Sequence, residues 1–237
     1  MICVIPARSG SKRIRDKNLL LIEDMPVLAH TIRKAKALDL FSAIYVSTDD
    51  DDYAEIARRA GAQTLLRPQN LSDDYASTVE VLSDVVIKLK IEDNELVCCL
   101  YPVTPLLNPS RILEATKIFL QERYVYVFPA IRMNQQHQRS FSINSSGAVS
   151  IPNDSKIHER TQDLPVLFTD AGQFYLGKAE SWRSQQPILS SRSGAISMEL
   201  WEVIDVDTSE DWEVALSLYH SRRTINGKLR AESQKND

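Results

Sequence analysis

The stretch Ile2-Cys3-Val4-Ile5-Pro6-Ala7-Arg8-Ser9-Gly10-Ser11-Lys12-Arg13-Ile14-Arg15-Asp16-Lys17-Asn18 opens apolar and breaks at a proline into a basic, small-residue loop. Ile2 to Ile5 reads as a short strand that Pro6 ends. Beyond it, Arg8, Lys12, Arg13, Arg15 and Lys17 face one acid, Asp16, and Ser9, Gly10 and Ser11 keep the chain small and flexible. At the end of a first strand such a loop suits a triphosphate, because backbone N–H groups and cationic side chains can surround the anion together. The plainer account is a solvated basic loop. The loop lacks G-x-x-x-x-G-K-[ST] and G-x-G-x-x-G, which weakens the kinase and dehydrogenase readings.

Outward from this loop, strand-like and helix-like segments alternate. Pro26 opens a helix carrying Leu28, Ile32, Ala35 and Leu38 on one face. Ala43 to Ser47 reads as a strand, Asp49 to Asp52 as the acidic start of a helix, and Gly61 as its end. Gln63 to Arg67 is a strand, and Val79, Leu82, Val86 and Leu89 mark a helix that Ser77 or Thr78 can cap. Leu96 to Leu100 is continuously apolar, as a strand buried on both faces requires. Ser110 to Leu120 is helical and Tyr124 to Pro129 closes the series. The expectation is a mostly parallel, doubly wound α/β sheet, Rossmann-like in layout, with its ligands outside the carboxyl ends of the strands. The loops after Ile5, Ser47, Arg67 and Leu100 are thereby nominated.

From about Ile131 to Phe168 the pattern turns polar, with short alternations, and reads as a hairpin-bearing insertion. The α/β pattern then returns in Gln173 to Leu176, Glu202 to Val206, and a helix with Trp212, Ala215, Leu216 and Tyr219. Residues 1–225 are expected to form one domain, and Asn226 to Asp237 a polar, frayed tail.

The chain of 237 residues is 43% hydrophobic and 25% charged, enough for a sizeable core. Its 28 basic and 32 acidic residues leave a net charge of −4, which argues against a dedicated nucleic-acid binder. No apolar run approaches the ~20 residues of a membrane span. The charges that follow the first apolar run reverse the order of a secretory signal, so a cytoplasmic protein is expected. Cys3, Cys98 and Cys99 lie in apolar runs without metal-ligand spacing and read as buried thiols. His30, His137 and His158 match no nucleophile or metal pattern and read as structural or surface residues.

A second constellation is Val203-Ile204-Asp205-Val206-Asp207-Thr208. As a strand it puts Asp205 and Asp207 on one face, roughly 6–7 Å apart, with Ile204 and Val206 turned to the core. Two carboxylates so placed need a counter-charge, which Mg²⁺ held partly by substrate phosphates supplies. The alternative is that Asp207 merely starts the next helix, or that Thr208 caps it ahead of Glu210 and Asp211.

Together these segments resemble the sugar-acid cytidylyltransferases, the CMP-sialic acid synthetase group, over about residues 1 to 221. The resemblance rests on Ile5-Pro6-Ala7-Arg8-Ser9-Gly10-Ser11-Lys12 with Lys17-Asn18, then Val46-Ser47-Thr48-Asp49, Leu66-Arg67-Pro68, the Asp74 to Thr78 stretch, and Asp205-Val206-Asp207-Thr208. Cys98-Cys99-Leu100-Tyr101, Arg160-Thr161-Gln162-Asp163-Leu164 and Asp170-Ala171-Gly172 look most like the pseudaminic acid members. Tyr101 stands where sialic acid enzymes usually carry a glutamine, which favours a sugar with different ring substituents.

The resemblance implies that CTP and a nonulosonic acid, most of all pseudaminic acid, give the CMP-sugar and pyrophosphate. It implies that Arg8, Lys12 and Lys17 hold the triphosphate, with Asn18, Arg67 and Ser77 in the nucleotide pocket and Ser9, Gly10 and Asp74 also binding the nucleotide. Asp205 and Asp207 would hold Mg²⁺, and Arg8, Lys17 and Asp207 would carry the catalysis. Tyr101, Arg160, Gln162 and Asp170 would serve the sugar acid. It also implies a homodimer through residues 131–168, with no nucleic-acid or membrane partner. N-acetylneuraminic, legionaminic or 3-deoxy-octulosonic acid are the alternative substrates. A non-catalytic nucleotide-binding relative is the alternative of another class, against which the retention of Arg8, Lys17, Asp205 and Asp207 speaks.

Overall fold

The computed structural model describes residues 1–152 and 155–233. Its centre is β1 (Ile2–Pro6), which pairs in parallel with β4 (Ala43–Thr48) on one edge and β6 (Leu96–Leu100) on the other. The short β2 (Leu21–Ile22) and β3 (Met25–Pro26) form a separate hairpin that leads into α1 (Val27–Lys36). α2 (Asp51–Ala60) carries the chain to β5 (Gln63–Leu66), parallel to β4, and α3 (Thr78–Lys88) carries it to β6. α4 (Ser110–Gln121) precedes β7 (Tyr126–Arg132).

Both faces of this sheet are covered, which is why its strands read as unbroken apolar runs. Cys3, Ile5, Cys98 and Leu100 pack against Leu28 and Ile32 of α1, Ala57 of α2 and Ile112 of α4. The alternate residues Val4, Val97 and Cys99 meet Leu82, Val85 and Val86 of α3 on the other face. All three cysteines are buried and free. The helix boundaries follow local chemistry. Asp50 caps α2 by accepting from the Tyr53 N–H, and Gly61 ends it at φ +96°, a conformation that glycine adopts without Cβ strain.

The insertion contains a hairpin of β8 (Ser142–Ile143) and β9 (Val149–Ser150), turned by Asn144 and Gly147. After it the chain rejoins the sheet without a helical crossover, so β10 (Phe168–Asp170) and β11 (Phe174–Lys178) run antiparallel to β7. β11 also pairs antiparallel with β6. Past α5 (Ala179–Arg183), β12 (Gly194–Met198) lies parallel to β7 on its outer edge. The sheet order is therefore β10-β7-β11-β6-β1-β4-β5, with β12 joined to β7.

The expected strand over Glu202 to Val206 is a correction. Residues 203–207 follow a 3₁₀ turn at Leu200–Glu202, start from an extended Val203 and belong to no strand. Both edges of β7 are already taken, by β12 on one side and by β10 and β11 on the other, and this segment pairs with no strand of the sheet. α6 (Ser209–Ser233) runs through Asn226, where a frayed tail was expected to begin; residues 234–237 lie outside the described residues. Among the described residues no helix is long and apolar enough to cross a membrane.

Candidate active site

A cavity of about 570 Å³ opens at the carboxyl edge of the parallel strands. The loops after β1, β5 and β6 all reach it, as the sheet topology demands. The basic loop is fixed at both ends. The Ala7 N–H donates to Ser47 O, and the Ser9 N–H and hydroxyl donate to the Asp49 carboxylate at 2.8 and 3.0 Å. Asn18 donates its side-chain amide to Arg8 O at 2.9 Å. Gly10, at φ +69°, makes the turn between these anchors.

Arg8, Ser11, Lys12, Arg13, Lys17 and Asn18 line the cavity. Its cations meet two acids. Arg8 pairs with Asp74 at 2.6 Å and Lys12 joins the same carboxylate, while Lys17 lies 3.4 Å from Asp207, which also binds Arg13. The bonds from Lys12 and Arg8 hold Asp74 below the usual carboxylate range. Arg67 is buried and donates to Ser47 O at 2.8 Å. Burial pulls its guanidinium down to about 10, against the opposing charge of Asp49, so it stays cationic at neutral pH.

Opposite the basic loop stand Ile204, Asp205 and Asp207. Val206, between the two acids, is buried with Ile14 of the basic loop and with Trp212 and Ala215 of α6. The alternation expected of a strand holds from Asp205 to Asp207 only, since Ile204 lines the cavity beside them instead of entering the core. Loss of solvent, then the neighbouring charge of Asp207, raises the Asp205 carboxyl above its ordinary value. Two crowded carboxylates beside a cationic loop are a donor set that fits a hard divalent cation completed by water and phosphate oxygens. Among the described residues no third acidic, histidine or cysteine ligand joins them. Thr208 and Asp211 form the reciprocal cap that starts α6, so the capping alternative holds for Thr208, while both aspartates face the cavity.

Tyr101 lines the cavity, and its hydroxyl lies 2.7 Å from Thr78 Oγ1. Burial pushes its phenol up to about 12. Behind it, Tyr175 donates to Asp170 at 2.6 Å, and Asp170 also accepts from the Gly172 N–H.

Several expected site residues do not line this cavity. Ser77 is the N-cap of α3, in a capping box with Glu80, and its neighbour Thr78 lines the cavity instead. Ser9 and Gly10 shape the loop behind the lining, and Asp170 supports Gly172 rather than facing the space itself. Arg160 pairs with Asp163 at 2.6 Å, its side chain 73% exposed, and Gln162 is exposed beside it on the insertion. Sequence reasoning passed over Ser11, Gly172 and Ile204 as lining residues. Gly172 had a signal, its place directly after Asp170-Ala171; Ile204 had none, because strand alternation assigns it to the core.

A family model described as "Cytidylyltransferase" matches residues 2–229. The chain is 34% identical over 221 residues to the pseudaminic acid cytidylyltransferase of Campylobacter jejuni subsp. jejuni serotype O:23/36 (strain 81-176), covering 92% of this chain and 95% of that one. It is 29% identical to the N-acylneuraminate cytidylyltransferase of Escherichia coli O18:K1:H7 (strain RS218 / NMEC), over 94% of this chain and 52% of that one. Among solved structures, CMP:2-keto-3-deoxy-manno-octonic acid synthetase complexed with CTP superposes with a TM-score of 0.70 at 16% identity, covering 93% of this chain and 98% of that one. At that identity the likeness bears on the fold.

Proposed function

The chain belongs to the cytidylyltransferase family, and we propose that it activates a nonulosonic acid, pseudaminic acid, by transferring CMP to it from CTP. The anomeric hydroxyl attacks the α-phosphorus and loses its proton, a P–O bond forms, and the α–β bridge breaks to release pyrophosphate. The observation that carries this reading is one cavity in which a cationic loop faces a pair of carboxylates across the carboxyl edge of the sheet. The extent of the likeness to the Campylobacter enzyme supports the choice of sugar.

In this reading Arg8, Lys12 and Lys17 neutralise and orient the triphosphate, Lys17 and Arg8 nearest the charge that develops as pyrophosphate leaves. Asn18 and the buried Arg67 shape the nucleotide pocket behind the loop. Asp205 and Asp207 would hold Mg²⁺, which supplies charge neutralisation at phosphate oxygens. Asp74 and Asp207, which pair with the loop cations, exchange those partners as the phosphates arrive. Tyr101 bounds the sugar end, its hydroxyl set by Thr78.

Residues 1–225 act as one catalytic domain located in the cytoplasm, and the insertion serves as the arm of a homodimer. Phe141, Ile143, Val149, Ile151, Val166, Leu167 and Phe168 are all exposed on it, more apolar surface than a free arm sustains. Such an arm offers Arg160 and Gln162 to the sugar site of a second copy. Light scattering is expected to give twice the monomer mass, and a monomer would rule this out.

Mass spectrometry after incubation with CTP and Mg²⁺ tests the main reading. CMP-pseudaminic acid is expected in excess over the products from N-acetylneuraminic, legionaminic and 3-deoxy-octulosonic acids. Pyrophosphate release with none of the four overturns the substrate class, and CTP binding without turnover favours a non-catalytic relative.

A further inference from the structure

We propose that the ion pair between the half-buried Arg111 and the buried Glu202, completed by Asn108, is a positioning device that sets the register at which Asp205 and Asp207 enter the cavity. The proposal rests on the metal role given to those two carboxylates above.

Residues 203–207 pair with no strand, so something other than a ladder must fix them. Downstream, Thr208 and Asp211 tie the segment to α6. Upstream the tie is Glu202, only 3% exposed. Its carboxylate accepts from Arg111 Nε at 3.2 and 3.1 Å and from Arg111 Nη2 at 2.5 Å. Asn108 Nδ2 at 3.1 Å and the Glu199 N–H at 3.2 Å complete the shell. The backbone is held as well, since Gln173 donates its side-chain amide to Glu202 O at 2.7 Å. Gln173 O in turn accepts from the Tyr101 N–H, which links this anchor to the loop after β6.

An ion pair with a buried carboxylate is a weak source of stability, because desolvation offsets its attraction; the attested use of such pairs is to fix register. The planar guanidinium grips both carboxylate oxygens and so restricts rotation as well as distance. Arg111 is itself rigid, standing in the first turn of α4, where the next residue, Ile112, lies in the main core. Two residues, Val203 and Ile204, separate Glu202 from Asp205. A slip of one residue there turns Val206 toward the cavity and the carboxylates toward Ile14 and Trp212, by the same period-two logic that governs a strand.

The test uses Mn²⁺ as an oxygen-ligated paramagnetic substitute, titrated into the full-length protein with CTP and followed by electron paramagnetic resonance. Arg111→Lys keeps the charge and loses the fork. It is expected to weaken Mn²⁺ binding by about tenfold, the usual consequence of losing a group that orients a ligand, while metal-free CTP affinity stays unchanged. A folded Arg111→Lys protein with wild-type Mn²⁺ affinity overturns the proposal, whatever its melting temperature. Should that variant not fold, Asn108→Ala loosens the same carboxylate and must weaken Mn²⁺ binding in the same sense; no change overturns the proposal. Asp205→Asn and Asp207→Asn separate the two levels. If both bind Mn²⁺ as wild type does, the metal reading fails and the positioning role with it. If they lose Mn²⁺ while Arg111→Lys keeps it, only the positioning role fails.

Discussion

The two walls of the cavity carry opposite charge and are built in different ways. The basic wall hangs from β1, paired on both edges at the centre of the sheet, and backbone bonds from Ala7 and Ser9 carry that order into the loop. The acidic wall, residues 203–207, belongs to no strand and takes its place from side chains: Glu202 upstream, Val206 beneath, Thr208 and Asp211 downstream. The walls meet where Ile14 packs with Val206. The difference teaches that cationic side chains here are replaceable parts on a fixed frame. On the acidic side the frame is itself made of side chains, so substitutions there disturb geometry as well as charge.

The largest effect expected from this contrast is on turnover. Lys17→Ala and Asp207→Asn each remove a cavity charge without opening the core, and each is expected to lower pyrophosphate release about a hundredfold or more at saturating substrates. Melting temperatures stay near wild type. Turnover close to wild type in Asp207→Asn, with a fall in melting temperature, makes Asp207 only an ion-pair partner of Arg13 and Lys17.

A middle-sized effect tests the contact between the walls. Val206→Ala empties part of the small core shared with Ile14 and is expected to cost about 1–3 kcal/mol in chemical denaturation. Combined with Ile14→Ala, the losses are expected to depart from additivity by about 0.5 kcal/mol or more. Strict additivity means that the walls are placed independently.

The smallest effect is a pH dependence on the acidic wall. Asp205 holds its proton more tightly folded than unfolded, because solvent loss and Asp207 raise its carboxyl. Stability at this group is therefore lost as pH rises through the folded value. Asp205→Asn is expected to melt slightly higher than wild type at neutral pH, and the gain disappears below the ordinary aspartate value of 3.8. A gain that persists at low pH points to packing instead of charge.

The parallel half of the fold was legible from local pattern. Apolar runs such as Leu96–Leu100, the cap at Asp50 and the stop at Gly61 are decided within a few residues, by burial on two faces and by the needs of helix ends. The basic loop was legible for the same reason, since five cations and three small residues lie in one short stretch beside the strand that carries them. The acidic pair was legible as chemistry but not as structure. Alternation placed Val206 inward and the aspartates together, yet the segment is no strand: the edges of β7 are filled and it pairs with no other strand. β10, β11 and β12 lie 36 to 67 residues from the positions of β7 they pair with, a separation that no local period records. The same holds for Glu202 and Arg111, 91 residues apart. The sequence by itself determined the basic loop and the aspartate pair that meet in the cavity. Tertiary structure alone decided what holds the acidic wall in place, because an unpaired segment takes its position from distant side chains that local pattern does not reveal.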